Sequence, residues 1–293
     1  MLLACLTLAA SSGCDPTGEL RWPFATDSPA PQTQPATDPT PAARTSIPSA
    51  TPPAADAPRP NRPAIVVTTF TFDILRVRVP QGLFSESGKV WNHLESDFLP
   101  ADTAKLLHRN GIRVGRANAE SWPALRAILE TEPRAETAQS KLTMSNGLPL
   151  LLELDRHPKD QILFLYRRDG TLAGAPWRSS TNVLRIEYGI PPTQPDAILV
   201  EVAPELRLDS PAAHTLRGIE HWDPTAIPER SRVIRDLAFR ATLEAGQFLA
   251  IGPSSATRDL PYIMGALLLC EEQGGEKFES MYFITPTVSR TGD

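Results

Sequence analysis

After Met1 the chain opens on an apolar run, residues 2–10, and large apolar side chains then stay sparse until residue 65. From there the texture changes. Residues 65–79 are rich in β-branched side chains, and Leu75, Val77 and Val79 alternate with Arg76 and Arg78, the period of a strand with one face in a core. Pro80 ends it. A short helix is expected over residues 87–94. A second is expected from Pro100, which suits a first helical turn, to Asn110-Gly111, which suits a left-handed stop. Leu99, Ala104, Leu106 and Leu107 then make its buried stripe. A strand over 112–117 follows, and Ser121 stands as cap to a helix carrying Leu125, Ile128 and Leu129, with Pro123 in its first turn. Residues 64–135 thus read as a small α/β module.

Beyond Arg134 the helix signals fade. Residues 148–154 and 161–166 have strand texture, and Arg168-Asp169-Gly170 turns the latter into Thr171-Leu172 as a hairpin. Further strands are expected over 182–190, 197–202, 231–242, 247–251, 263–270 and 278–284, separated by Pro, Gly and Asp. Short strands at that spacing imply a mainly antiparallel β sandwich or open barrel over residues 136–293. The fold class is therefore α+β: a disordered Pro-rich N-terminal stalk, the small α/β module, and the β domain.

Composition bears on the first part most. Of 30 prolines in 293 residues, thirteen lie between Asp15 and Pro63, among Ala, Thr, Ser and Asp. Ordering this segment would cost backbone entropy that no burial offsets. A disordered spacer is the expectation, reaching about 150 Å at a polyproline rise of ~3.1 Å per residue. A Thr/Pro-rich interaction or glycosylation segment is the alternative. The run over 2–10 spans only about 14 Å as a helix, less than half of a ~30 Å hydrocarbon core, so it reads as a signal segment.

Ser11-Ser12-Gly13-Cys14, directly after that run, resembles a bacterial lipoprotein box. The resemblance implies a signal peptide over residues 1–13, a fatty-acyl (palmitate) lipid on Cys14, and residues 14–63 as the arm carrying the folded part. Ordinary cleavage near Ala10, with Cys14 a spare thiol, is the alternative. A second resemblance lies over residues 231–290. Glu244-Ala-Gly-Gln-Phe-Leu-Ala-Ile-Gly252, then Leu260-Pro-Tyr-Ile-Met-Gly265, then Phe278-Glu-Ser-Met-Tyr-Phe-Ile-Thr-Pro286 are similar in order and rough spacing to the C-terminal part of the secretin homology region. That implies a strand arrangement and an envelope context. On physical grounds Gly246 and Gly252 permit tight turns, and Pro286 ends an edge strand that buries Phe283 and Ile284.

Formal net charge is −5 with Lys and Arg scattered among Asp and Glu, so no basic stripe exists to follow a phosphate backbone, and nucleic acid is excluded as a partner. Three cysteines, two of them in the first fourteen residues, make neither a disulfide framework nor a four-cysteine zinc site. The sequence holds no His-Glu-x-x-His, Gly-x-Ser-x-Gly, Gly-x-x-x-x-Gly-Lys or Gly-x-Gly-x-x-Gly motif, and no cofactor, metal or catalytic residue is expected. Single residues remain. Cys270 closes the apolar run 266–270, where a thiol serves as a small buried hydrophobe more readily than as a nucleophile. His214 and His221 with Asp223 make a metal site only if the chain folds back on itself. His108 sits at a helix C-terminus, where a partly protonated imidazole suits the dipole. Glu153 and Asp155 share a strand face without an acid partner. Trp177 and Trp222, flanked by Pro or Asp, are the candidate partner-binding residues, with core plugging as the alternative.

The reading that follows is a non-catalytic, lipid-anchored protein of the cell membrane or outer membrane, facing the periplasm or the cell surface. It serves as a binding or structural component of an envelope assembly. Its expected partners are the membrane, through the lipid, and an envelope protein or assembly; oligomeric state stays open. The alternatives are a periplasmic or surface enzyme acting on glycan or peptide, and a self-assembling secretin-like pore component.

Overall fold

The computed structural model describes residues 66–145, 147–154, 157–208 and 231–292. Cys14 and the arm over 14–63, together with Asp155, His214, His221, Trp222 and Asp223, lie outside the described residues. In chain order the strands are β1 (Val66–Pro80), β2 (Ile112–Asn118), β3 (Glu136–Ser145), β4 (Leu150–Glu153), β5 (Lys159–Tyr166) and β6 (Leu172–Gly189). They continue with β7 (Ile198–Leu208), β8 (Ser231–Val233), β9 (Phe239–Leu243), β10 (Gln247–Pro253), β11 (Cys270–Gln273) and β12 (Glu276–Gly292). The helices are α1 (Ala101–Arg109), α2 (Trp122–Glu130), α3 (Ala256–Asp259) and α4 (Met264–Leu269).

Two open antiparallel sheets result. The first has the order β2-β10-β12-β1-β3, with β11 on the start of β12; the second has β4-β6-β7-β8, with β5 also on β6 and β9 also on β7. β1 pairs with β12 along its whole length, from Val66↔Gly292 to Pro80↔Phe278, and with β3 on its other side. A central strand needs cover on both faces, and β1 has it. Phe70, Phe72 and Ile74 point one way and Leu75, Val77 and Val79 the other, all at most 2% exposed. The expectation of one buried face is thereby corrected: both faces carry buried apolar side chains, and of the two arginines Arg76 is part-exposed while Arg78 is itself buried.

The first of these faces joins Leu249, Ile251, Tyr282 and Ile284 in a core shared with Leu163, Leu184, Ile186, Val200 and Val202 of the second sheet, which makes a sandwich. Against the other face lie Phe248 and Phe283, covered by α2, whose Trp122 stacks on Phe248 at 4.8 Å and reaches Phe283 at 5.1 Å. Segment 81–94 buries Phe84, Val90 and Trp91. Each such side chain contributes about 1.5–3 kcal/mol of apolar burial. Residues 64–293 form one compact unit. The division at residue 135 therefore does not separate two folded bodies, because β1 lies between two strands that come after it.

Several local differences have physical reasons. Residues 87–94 hold only a 3-10 turn, Trp91–His93, in a segment shaped by packing. Residues 263–270 are α4 rather than a strand: a short run apolar all round has no period to decide it, and Gly265 lets this helix lie against Gly111, where an added Cβ would come within 2.1 Å of the Gly111 carbonyl oxygen. Residues 231–242 split, since β8 pairs with one end of β7 and β9 with the other. The turn Glu244–Gln247, with Gly246 at φ +80°, carries the chain from β9 in one sheet to β10 in the other. Gly252 makes no turn; an added Cβ there would meet Met281 at 2.7 Å. Nor does Pro286 end its strand. β10 pairs with β12 only as far as Ile284, so Pro286 lies beyond that ladder and β12 continues along β1. β3 carries little strand signal in the sequence, because most of its side chains are polar and exposed; the ladder to β1 holds it, and Arg78 donates to Glu136 at 2.8 Å.

Candidate functional site

Trp177 stands on β6 opposite Gln161 of β5. Its ring is half-buried and packed against the inter-sheet core, with the Arg232 guanidinium 5.6 Å from the ring centre. The indole Nε1 is buried without a hydrogen-bond partner among the described residues. This is the position of a core-wall side chain more than of a free stacking platform. Beside it Gln161, Ser180 and Asn182 form a buried polar cluster. The Gln161 amide donates to Ser180 Oγ and Asn182 Oδ1, each at 2.9 Å, and Asn182 Nδ2 donates back to Gln161 Oε1 at 3.1 Å and to the Leu267 carbonyl at 3.1 Å. These amides fix the register of the β5–β6 hairpin and tie it to α4.

Cys270 begins β11 opposite Glu279 of β12. Burial, and secondarily the Glu279 charge, pushes its thiol up to about 12, so little thiolate forms near neutral pH. Glu279 is fully buried. One carboxylate oxygen accepts the Phe84 N–H and, at 3.1 Å, the Ser85 N–H; the other is buried without a hydrogen-bond partner among the described residues. Burial raises its carboxyl above the usual range despite those donors. His108 sits in the last turn of α1, as the sequence implies, where partial burial and then the Arg113 charge lower its imidazole from the ordinary value. Glu153 is exposed on β4, 3.5 Å from Arg207. Among the described residues no three His, Cys, Asp or Glu side chains gather as a metal site.

The most connected point is the pair Asn110-Gly111. Asn110 is fully buried, and its side chain imitates a strand: Oδ1 accepts the Tyr166 N–H at 2.8 Å while Nδ2 donates to the Tyr166 and Leu106 carbonyls, each at 2.9 Å. Its carbonyl accepts the Gly265 N–H at 2.7 Å, and the Gly111 carbonyl accepts the Ser254 N–H at 3.0 Å. α1, β5, α4 and β10 therefore meet here. The sequence marks the pair as a helix stop, and nothing in the local pattern reveals the contact with Tyr166. Around the same helix end, Asp102, Lys105, Leu106 and Arg109 of α1 face Arg167 and Arg168 of the β5–β6 turn across a cleft of about 340 Å³.

No family model matches the chain, and no curated protein matches it. Solved structures similar to it include the Klebsiella pneumoniae type II secretion system outer membrane complex of PulD, PulS and the PulC HR domain. That match has 12% identity over 78% of this chain and 40% of that one, with a TM-score of 0.23. The Escherichia coli K12 type II secretion system secretin GspD gives 13% identity, 78% and 49% coverage and a TM-score of 0.21. The Vibrio cholerae type IV competence pilus secretin PilQ gives 13%, 76% and 59%, and 0.23. The chain spans 40–59% of these three chains. The likeness to secretin structures is weak, and at these scores it carries no argument about activity, substrate or partner.

Proposed function

We propose that this chain is a lipid-anchored component of a bacterial cell envelope, binding or scaffolding within an envelope assembly without catalysis of its own. The observation that carries the reading is the apolar run over 2–10 closed by Ser11-Ser12-Gly13-Cys14 and followed by a Pro-rich arm. A long arm is useful to a body that must meet partners away from its anchor. The missing catalytic motifs and the thiol held protonated at Cys270 agree with a body that does no chemistry.

The test is fractionation of bacteria expressing the full chain. The wild-type chain is expected in the membrane pellet, released by detergent and not by salt, and Cys14→Ser in the soluble fraction. Wild-type chain in the soluble fraction overturns the anchor. A hydrolase panel on glycan and peptide substrates, run with Cys270→Ala and His221→Ala, tests the other half; turnover abolished by either substitution overturns the non-catalytic reading.

A further inference from the structure

The geometry points to an anion site in the cleft between α1 and the β5–β6 turn, one that takes a phosphate group. Six residues line it, Asp102, Lys105, Leu106, Arg109, Arg167 and Arg168, so four cations face one carboxylate in a chain whose net charge is −5. Such a local reversal of sign raises the concentration of anions at the cleft. None of the four cations forms an ion pair with a carboxylate among the described residues, whereas Arg76, Arg78, Arg116, Arg126, Arg185 and Arg240 all do. The nearby Asp169 accepts Thr171 N–H at 2.9 Å and Thr171 Oγ1–H at 2.7 Å and so closes the hairpin turn; its charge also bears on Arg167, so four cations stand against two carboxylates, still a positive excess.

The walls are held in advance of any ligand. Arg109 lies over the Tyr166 ring at 4.3 Å, and its Nη2 reaches the Gly170 carbonyl at 3.5 Å, which leaves other guanidinium donors for a ligand. The Tyr166 backbone is in turn fixed by Asn110, so α1 and the hairpin cannot drift apart without breaking that amide pair. Three guanidinium groups and an ammonium around one opening match the oxygens of a phosphate, to which arginine binds in a bidentate fork. The phosphate has two sources, a soluble phosphorylated compound or a lipid headgroup. The same hairpin exposes Ile162 and Leu172, which gives the second source a place in the test. The site does not depend on the envelope reading.

Calorimetric titration of the full chain with pyrophosphate at constant ionic strength is the first arm. Cosedimentation of the Cys14→Ser chain with phosphatidylglycerol vesicles, against phosphatidylcholine vesicles, is the second; that substitution keeps the anchor from supplying the binding. Saturable binding in either arm is expected, weakened about tenfold or more in Arg167→Ala/Arg168→Ala, since charge-assisted hydrogen bonds are lost. Pyrophosphate binding alone assigns a soluble ligand, and selective vesicle binding alone assigns a headgroup. Lys105→Ala, on the exposed side of α1, serves as the second variant if the double one unfolds. No saturable binding in both arms, or binding unchanged in a folded variant, overturns the site.

Discussion

Glu279 is a carboxylate fully buried between a strand and the segment that covers it, with one oxygen bonded to backbone N–H groups and the other without a hydrogen-bond partner among the described residues. Its carboxyl is raised because burial outweighs those donors. A raised carboxyl binds its proton more tightly in the folded chain than in the unfolded one. Its stability contribution is therefore fully present below the ordinary carboxylate range and is lost as pH rises through that range towards the folded value. Glu279→Gln keeps an acceptor for the Phe84 and Ser85 N–H groups and cannot ionise. Urea unfolding across pH 4 to 8 is expected to show the wild-type chain losing stability relative to Glu279→Gln as pH rises. Parallel curves, or a wild-type chain that gains, would contradict the account. Among single residues, Cys270 was legible because its place in an apolar run implies burial. Glu279 was not, since a carboxylate reads as a solvent-facing residue although it shares its strand face with Met281 and Phe283, and the packed segment 81–94 helps close that face into an interior.

Elements were legible where a backbone signal stands at each end. α1 begins after Pro100 and ends at Asn110, as Pro and Asn-Gly dictate, with Leu106 and Leu107 buried. α2 also lies where it was expected, but for another reason. A 3-10 turn, Ala119–Ser121, runs directly into it, so Ser121 already has helical angles of φ −75° and ψ −17° and its side chain makes no capping bond. The helix is held instead by Trp122 against Phe248 and Phe283. Ser121→Ala should therefore change stability by less than about 0.5 kcal/mol, short of the ~1 kcal/mol of a working cap. Phe248→Ala should cost about 3–5 kcal/mol. Denaturant titration of both variants checks the pair; a Ser121→Ala cost near that of a cap would show that the hydroxyl is engaged. The elements that escaped reading had no such signals. α4 is uniformly apolar, β3 is mostly polar with a weak apolar face of Ala138, Leu142 and Met144, and β12 runs past a proline because the β10 ladder on that side stops at Ile284.

At the scale of the whole molecule, pairing between distant parts of the chain decides the architecture. β1 pairs with β12 across more than two hundred residues, and β10 sits between β2 and β12. Local pattern carries no information about such pairing, which is why residues 64–135 read as a module of their own. Expressed alone, they lack the partners that cover both faces of β1 and are expected to give an unfolded circular dichroism spectrum with no cooperative melt. A cooperative transition in that fragment would contradict the single sandwich.

The envelope assignment rests on the other end of the chain, and the measurement that reaches it most directly is intact mass spectrometry of the mature protein purified from bacterial membranes. A chain that starts at Cys14 and carries fatty-acyl mass on that residue is the predicted result. A mature chain with an unmodified Cys14, or with a start elsewhere, would contradict it.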